Sequence, residues 1–334
     1  MIFQVSDSSG VGEARRSASE LARSLGFGEN DTGRLAIVVT EAATNIVKHA
    51  KTGMIVVQQF SEAGTSGVEI LAIDSGPGHS NISRCLSDGY STAGTPGNGL
   101  GAIRRLSDTF DIFSAEGRGT IVLSHIFQAG QGPKPRPAGP QFGAVSEPYP
   151  GESVCGDAWS IHLAPNRAVV IVADGLGHGV LANEAATEAI RLFHTVERQN
   201  AVEIVDTIHT GIRHTRGCAV SVSEVNFETG VIRYCGIGNV AGSIVGANSP
   251  KRNMVSMNGT AGHNMRKAKD FSYPFMTGMM LVMHSDGLDT HCDLSTLSGL
   301  ERHRASLVAA ALFRGHRRSR DDATVVVMKL GGGS

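Results

Sequence analysis

Asp174 closes the apolar run 168–173, and glycines follow it at 175, 177 and 179. The run has the length and β-branched content of a buried strand. Such a strand can fix a metal ligand by delivering one carboxylate to its exposed end and then turning on glycine. The strand holds the side chain, and the glycine backbone brings a carbonyl oxygen close. An Asp-Gly turn closing a hairpin is the other reading of the same residues. The device recurs at Asp157, Asp286 and the pair Asp321-Asp322, each beside an apolar stretch. Gathered in one domain, these carboxylates would be uncompensated negative charge unless cations joined them. No His or Cys cluster accompanies them, and all-oxygen ligation favours Mg²⁺ or Mn²⁺ over zinc. A pair of such ions can activate water and clamp a phosphoryl group for in-line displacement.

A second set lies in the first third of the chain. Glu41, Asn45 and His49 recur at a spacing of four, with Lys48 between the last two. On a helix they form one polar line, either the wet face or, beside the small residues Ala42, Ala43 and Thr44, a surface that a ligand can approach closely. Asp74 ends the strand-like run 68–73 and is followed by Gly76 and Gly78. Gly97, Gly99 and Gly101 then open a short helix, where backbone N–H groups can cradle phosphate.

Length and composition bound what these groups belong to. At 334 residues and 41% hydrophobic content, two folded domains are expected. A net charge of −1 gives no general affinity for nucleic acid or anionic membrane. No apolar run approaches a membrane span, and the N-terminus lacks signal-peptide character. The five cysteines are scattered without Cys-x-x-Cys spacing, which points to a reducing cytoplasm.

The elements that must carry the chemistry can be read in order. Apolar spacing predicts a helix over 13–25, stopped by Gly26, and a second, capped by Asp31 or Thr32, running to about residue 50. Strands follow at 54–60, 68–73, 110–115 and 120–127. The segment 129–140 has four prolines and three glycines and reads as a linker between domains at 1–128 and 142–330, with 331–334 a flexible tail. In the second domain, Asp157 and Asp174 fall near opposite ends of a hairpin-like unit turning at Pro165-Asn166. Helices are expected at 180–198 and 201–213, a hairpin at 218–236, a strand at 278–284, a mostly helical stretch at 298–313, and a last strand after Asp322.

The order Glu41-x-x-x-Asn45, Asp74-x-Gly76-x-Gly78, Gly97-x-Gly99-x-Gly101 and Gly119-Thr120 resembles the ATP-binding fold shared by gyrase, Hsp90 and histidine kinases, the GHKL or Bergerat fold. Within it, residues 10–127 are similar to the RsbT-type serine kinases of bacterial partner-switching systems, through 25–28, 70–78 and 88–92. The resemblance implies that Asp74 accepts a hydrogen bond from the adenine amino group, with Gly76 and Gly78 giving the base room. It implies that Asn45 ligates Mg²⁺ on the phosphates, that Glu41 orients or deprotonates the attacking serine, and that Lys48 and His49 line the ATP site. Gly97, Gly99 and Gly101 would wrap the phosphates, and Thr120 would support the adenine pocket.

Gly156-Asp157, the stretch 173–179, Ser285-Asp286-Gly287-Leu288 and 321–325 resemble the metal-dependent Ser/Thr phosphatases of the PPM family, in its SpoIIE and RsbX branch. That resemblance implies that Asp157, Asp174, the Gly175 carbonyl, Asp286 and Asp321 hold two Mg²⁺ or Mn²⁺ ions, with Asp322 ranked below Asp321. No basic residue is evident for the substrate phosphate; Arg216 is either that residue or an exposed surface arginine, and His178 is a general acid, a residue near the second metal shell or a turn histidine packed on its neighbours.

The expected fold is therefore a two-domain α/β (α+β) chain: a GHKL sandwich of helices on a mixed sheet, then a PPM-type β-sandwich flanked by helices. The expected function is a cytoplasmic regulator, an ATP-dependent Ser/Thr kinase of a STAS-domain antagonist or stressosome-type protein joined to a phosphatase acting on the same or a related partner. A further anti-sigma or effector partner is compatible with it; no nucleic acid or membrane is. The alternative is a phosphatase alone, with the N-terminal domain an ATP-liganded module that sequesters a signalling partner.

Overall fold

The computed structural model describes residues 1–62, 65–79, 99–131, 140–246, 249–289 and 299–331. Gly97, the lid sequence around it, and most of the Pro/Gly segment lie outside the described residues. The chain divides into two compact units, Met1–Pro137 and Ala138–Ser334.

The first unit packs helices on one face of a five-stranded sheet. Its strands are β1 (Ile2–Val5), β2 (Gly53–Glu62), β3 (Thr65–Asp74), β4 (Thr109–Ala115) and β5 (Gly119–Phe127), in the order β1-β2-β3-β5-β4. Every pairing is antiparallel, so the sheet is not mixed as the sequence suggested. Strands joined by tight turns need no crossover helix, and only a parallel pair would demand one. Helix α1 spans Ser8–Ser24 and begins earlier than expected: Asp7 caps it, accepting hydrogen bonds from the Ser9 and Gly10 amides at 2.8 and 3.1 Å. Gly10 and Gly12 hide that first turn from an apolar pattern.

Helix α2 (Glu29–Asn45) starts at Gly28, not at Asp31 or Thr32. Asp31 instead accepts from the Ala129 amide at 2.7 Å, tying the helix to the end of β5. Arg34 reinforces this junction with a two-pronged pair to Asp108 at 3.0 and 2.9 Å. The helix does not run on as α to residue 50: Ile46–Ala50 wind as a π turn, a feature that marks functional sites more often than chance. Leu35, Val38, Val39, Ala42 and Ile46 from this element meet Ile55, Val57, Ile70 and Ile126 from the sheet. Helix α3 (Gly99–Leu106) adds Ile103 to the same core.

The second unit is a four-layer stack of helices, two sheets and a helix. One sheet runs β13-β10-β9-β8-β7, with β14 also on β10. These are β7 (Asp157–Ala164), β8 (Arg167–Gly175), β9 (Cys218–Asn226), β10 (Val231–Ile237), β13 (Ser256–Met257) and β14 (Phe271–Pro274). The other runs β12-β11-β15-β16-β6, from β6 (Phe142–Glu147), β11 (Ala241–Gly246), β12 (Ser249–Asn253), β15 (Met279–His284) and β16 (Ala323–Leu330).

Strand β8 shows why its sequence is apolar without alternation. Ala168, Val170 and Val172 face the other sheet, whereas Val169, Ile171 and Ala173 face helices α4 (Val180–Val196) and α5 (Ala201–Gly211). Both faces are buried, so both must be apolar. Helix α6 (Ala305–His316) covers the outer side of β6 and β16. It starts later than expected, because Leu300–Arg302 form a single 3₁₀ turn and His303 is extended.

Candidate functional site

In the first unit, the polar line on α2 and the glycine-led start of α3 meet. A Cβ added to Gly99 would stand 3.0 Å from Asn45 Oδ1 and 3.2 Å from Glu41 Oε2, so a larger residue would crowd both side chains. Among the described residues, Asn45 Nδ2 is buried with no hydrogen-bond partner, an arrangement that favours a polar partner. Gly101 is buried inside α3. Gly97 cannot be added to this cradle, lying outside the described residues.

Asp74 forms a second cluster at the end of β3. Its Oδ1 accepts from the Gly76 amide at 2.8 Å and from the Thr120 amide at 3.1 Å, fixing the carboxylate at the sheet edge. Gly119 approaches the Asp74 carbonyl so closely that a Cβ would lie 2.1 Å from it, and its φ of +78° is a conformation that glycine alone adopts easily. Thr120 Oγ1 lies 3.0 Å from Ser114 Oγ, which accepts from the His79 amide at 2.8 Å. Gly78 packs on the Ala115 carbonyl and Gly76 on Ala50, where the π turn ends. That turn joins the two clusters. Lys48 and His49 lie on its exposed side; partial burial, with His79 and Lys48 nearby, lowers the His49 pKa.

In the second unit, antiparallel pairing corrects the expected separation of Asp157 and Asp174. They are direct partners across β7 and β8, facing each other at the open end of the hairpin. The turn at Pro165-Asn166 lies at the far end, so both strands deliver their carboxylates to one place. The other sheet brings Asp286, just past β15, and Asp321-Asp322, just before β16, to the same end, since His284 pairs with Val325. Ser285 links the sheets: its Oγ donates to Asp157 Oδ2 at 2.6 Å and accepts from the Thr324 amide at 2.9 Å. Asn239 donates to Asp286, and the Tyr149 amide donates to Asp322 Oδ1 at 2.8 Å.

Glycines let the backbone close around these groups. A Cβ on Gly175 would fall 2.0 Å from the Ala182 carbonyl, and one on Gly287 would fall 1.9 Å from that of Asp322. His178 stacks on Tyr149 at 4.2 Å between ring centroids, and its Nδ1 lies 2.7 Å from Glu152 Oε1. Arg216 lies over Gly177. Trp159 packs with Phe142 at the edge of the inter-sheet core.

The carboxylates crowd one another at this end of the sandwich. Burial pushes Asp157 up to about 7, with Asp322 and Asp321 adding to the shift. Burial pushes Asp174 up to about 9, with Asp157, Asp286 and the 321–322 pair adding. Asp321 is raised too, by burial and by Asp286. Among the described residues, no three His, Cys, Asp or Glu side chains close into a shell that could hold a metal ion. Even so, among the described residues Asp157 Oδ1 and Asp322 Oδ2 are buried without a hydrogen-bond partner. An all-oxygen donor set with orphaned, charge-crowded carboxylates fits a hard divalent cation.

Comparison with known proteins finds a family for each unit. A model of the histidine kinase-like ATPase domain matches residues 5–124, and one of the stage II sporulation protein E (SpoIIE) family matches residues 164–331. The latter spans half of the chain. The chain belongs to the SpoIIE family. Its first unit adds membership of the RsbT family: the serine/threonine-protein kinase RsbT of Bacillus subtilis is 39% identical over 109 residues, 33% of this chain and 82% of that protein. The phosphoserine phosphatase RsbX of the same organism is 27% identical over 139 residues, 42% of this chain and 70% of it.

Among solved structures, a chain from the bacterial stressosome aligns with a TM-score of 0.54 and 25% identity, covering 57% of this chain and all (100%) of that one. RsbX in complex with magnesium aligns at 0.51 and 24%, covering 57% and 95%. The second unit is thus a PPM-type serine/threonine phosphatase, and a kinase-like unit precedes it, the composition of a partner-switching regulator. Among the described residues, no helix is long and apolar enough to cross a membrane.

Sequence reasoning missed Ser285, Asn239, Tyr149 and Ser114. Ser285 could have been found from its place between a strand and Asp286. Asn239 and Tyr149 enter from loops distant in sequence, and Ser114 is one polar residue within β4, so none of the three carries a local signal.

Proposed function

We propose that this chain both adds and removes one phosphoryl group on a signalling partner. Residues 1–128 act as a kinase, 129–141 as a linker and 142–330 as a phosphatase, with 331–334 a tail. The partner is a STAS-domain antagonist of the stressosome type, phosphorylated on serine or threonine. The observation that carries the reading is the convergence of Asp157, Asp174, Asp286 and Asp321 from two sheets, in a chain that also keeps Glu41 and Asn45 against Gly99.

In the kinase unit, Asp74 receives the adenine amino group, and Gly76, Gly78 and Thr120 shape the pocket. Asn45 would hold Mg²⁺ there, and Lys48, His49, Gly99 and Gly101 would contact the phosphates. Glu41 takes the proton of the incoming hydroxyl as its oxygen bonds to the γ-phosphorus and the bond to the β-phosphate oxygen breaks, releasing ADP. The buried, unpartnered Asn45 amide and the gap held open by Gly99 support nucleotide binding there.

In the phosphatase unit, Asp157, Asp174, the Gly175 carbonyl, Asp286 and Asp321 would hold two Mg²⁺ or Mn²⁺ ions. Bound there, the cations supply Lewis-acid polarisation of the phosphoryl group and neutralise the carboxylates. Water attacks phosphorus, the serine or threonine ester bond breaks, and the departing oxygen takes a proton. His178, oriented by Glu152, is the residue that we assign to supply it.

Intact-mass spectrometry of a STAS protein incubated with Mg-ATP and either Asp174→Ala or Glu41→Ala tests the reading. Addition of phosphate by Asp174→Ala and its removal by Glu41→Ala are expected. If Asp174→Ala adds none while Glu41→Ala still removes it, the first unit is a binding module; if neither reaction occurs, the proposal fails.

A further inference from the structure

A cavity of about 530 Å³ opens beside the phosphatase carboxylates, lined by Asp286, Arg317, Arg318, Ser319, Arg320 and Asp321. The loop that forms it joins α6 to β16, and its basic content stands out in a chain whose net charge is −1. The three arginines differ in what they already do. Arg317 is committed to Glu147. Arg318 is held at the loop base: its amide donates to the Gly287 carbonyl at 2.7 Å, and its guanidinium lies 3.7 Å from Asp289 and 3.5 Å from the Asp286 carbonyl. Arg320 is exposed, and among the described residues it has no hydrogen bond or ion pair.

An exposed guanidinium is hydrated by water, and one held at the rim of a carboxylate cluster can exchange that water for an arriving anion. Pairing with Asp321 or Asp286 would cancel charge that the carboxylates need for cations, and the structure shows no such pair. A planar guanidinium matches two oxygens of a phosphoryl group at once. Arg317 and Arg318, which both precede Arg320, are pinned, so the loop that presents Arg320 is fixed at its α6 end.

We infer that Arg320 is the residue that grips the phosphoryl group of the phosphoprotein at the rim of the carboxylate cluster. This assigns the phosphate-binding role that the sequence left to Arg216. The inference rests on the phosphatase reading of the second unit, and it makes Arg320 a binding residue that acts on substrate capture more than on the chemical step.

The test uses the full chain with Mn²⁺, a phosphoserine peptide as substrate and inorganic phosphate as competing ligand, comparing Arg320→Gln, Arg320→Lys and Arg216→Gln. Arg320→Gln should raise KM for the peptide and the inhibition constant for phosphate each by about tenfold, the loss of one charge-assisted contact, with kcat nearly kept. Arg320→Lys should recover part of both. Unchanged constants in Arg320→Gln, or the loss appearing in Arg216→Gln instead, overturn the assignment. Calorimetric titration with phosphate separates it from the enzymatic reading. If the wild-type chain binds phosphate through Arg320 but hydrolyses nothing, the phosphatase reading fails and the site stands; if Arg320→Gln binds phosphate as tightly as wild type, the site fails.

Discussion

Replacing Ser285 by alanine should separate the two sheets' claims on Asp157. The hydroxyl is fully buried and serves two bonds, one donated to Asp157 Oδ2 at 2.6 Å and one accepted from the Thr324 amide at 2.9 Å. Alanine removes both. Thr324 N–H is then left buried without an acceptor, a cost of about 1–3 kcal/mol, and a bond to a carboxylate is worth about 1.5–3 kcal/mol. Asp157 can shed part of the second cost by taking a proton, since its pKa is already pushed up to about 7. A destabilisation of about 3 kcal/mol follows, or roughly 6–12 °C in Tm for a unit of this size. Scanning calorimetry of the full chain in EDTA and in Mn²⁺ identifies the relevant transition as the one that the ion moves. The same substitution loosens a carboxylate that we assign to the ion, so Mn²⁺ affinity should fall about tenfold. A melt within about 1 °C of wild type, or an unchanged Mn²⁺ affinity, would refute the claim that Ser285 couples the sheets through Asp157.

Without metal, the second unit should lose stability as pH rises. Folded Asp157 and Asp174 titrate near 7 and 9 against an ordinary 3.8, so the unfolded chain binds fewer protons than the folded one across that window. Melting in EDTA between about pH 5 and 9 should show a falling Tm, and the gain on adding Mn²⁺ should grow with pH; a flat EDTA profile would count against the charge crowding. In the first unit, Gly99→Val should cut Mg-ATP affinity about tenfold by pushing on Asn45 and Glu41, with the ATP-free melt of that unit kept. Undiminished binding by fluorescence titration would show that the nucleotide does not use this gap.

Much of the chemistry is legible in the sequence because it sits where periodicity ends. Asp174 is visible as the polar stop of an apolar run, and Asp286 as another, and both do lie at strand ends in the second unit. The facing of Asp157 and Asp174 is not, because a hairpin's turn can be read from Pro165-Asn166 while its register depends on pairing. The start of α2 escapes the sequence for a similar reason: Asp31 has the side chain of a cap, but a long-range bond to the Ala129 amide claims it. Asn239 and Tyr149 reach the site from loops, where side-chain type says little about destination. Arg320 hides in a basic stretch whose members look alike until two of them are seen to be occupied.

The π turn at Ile46–Ala50 carries one consequence for how this chain can drift. Such a turn is an α turn with an extra residue accommodated, so the segment's length, more than its composition, is under constraint. Deleting any one of the five residues would let the α ladder run straight through and swing the downstream chain by about 100°. His49 would leave the field of Asp74, and Ala50 would leave Gly76. Substitutions along 46–50 should therefore accumulate freely on the exposed side, while gaps in any alignment of functional relatives should fall elsewhere.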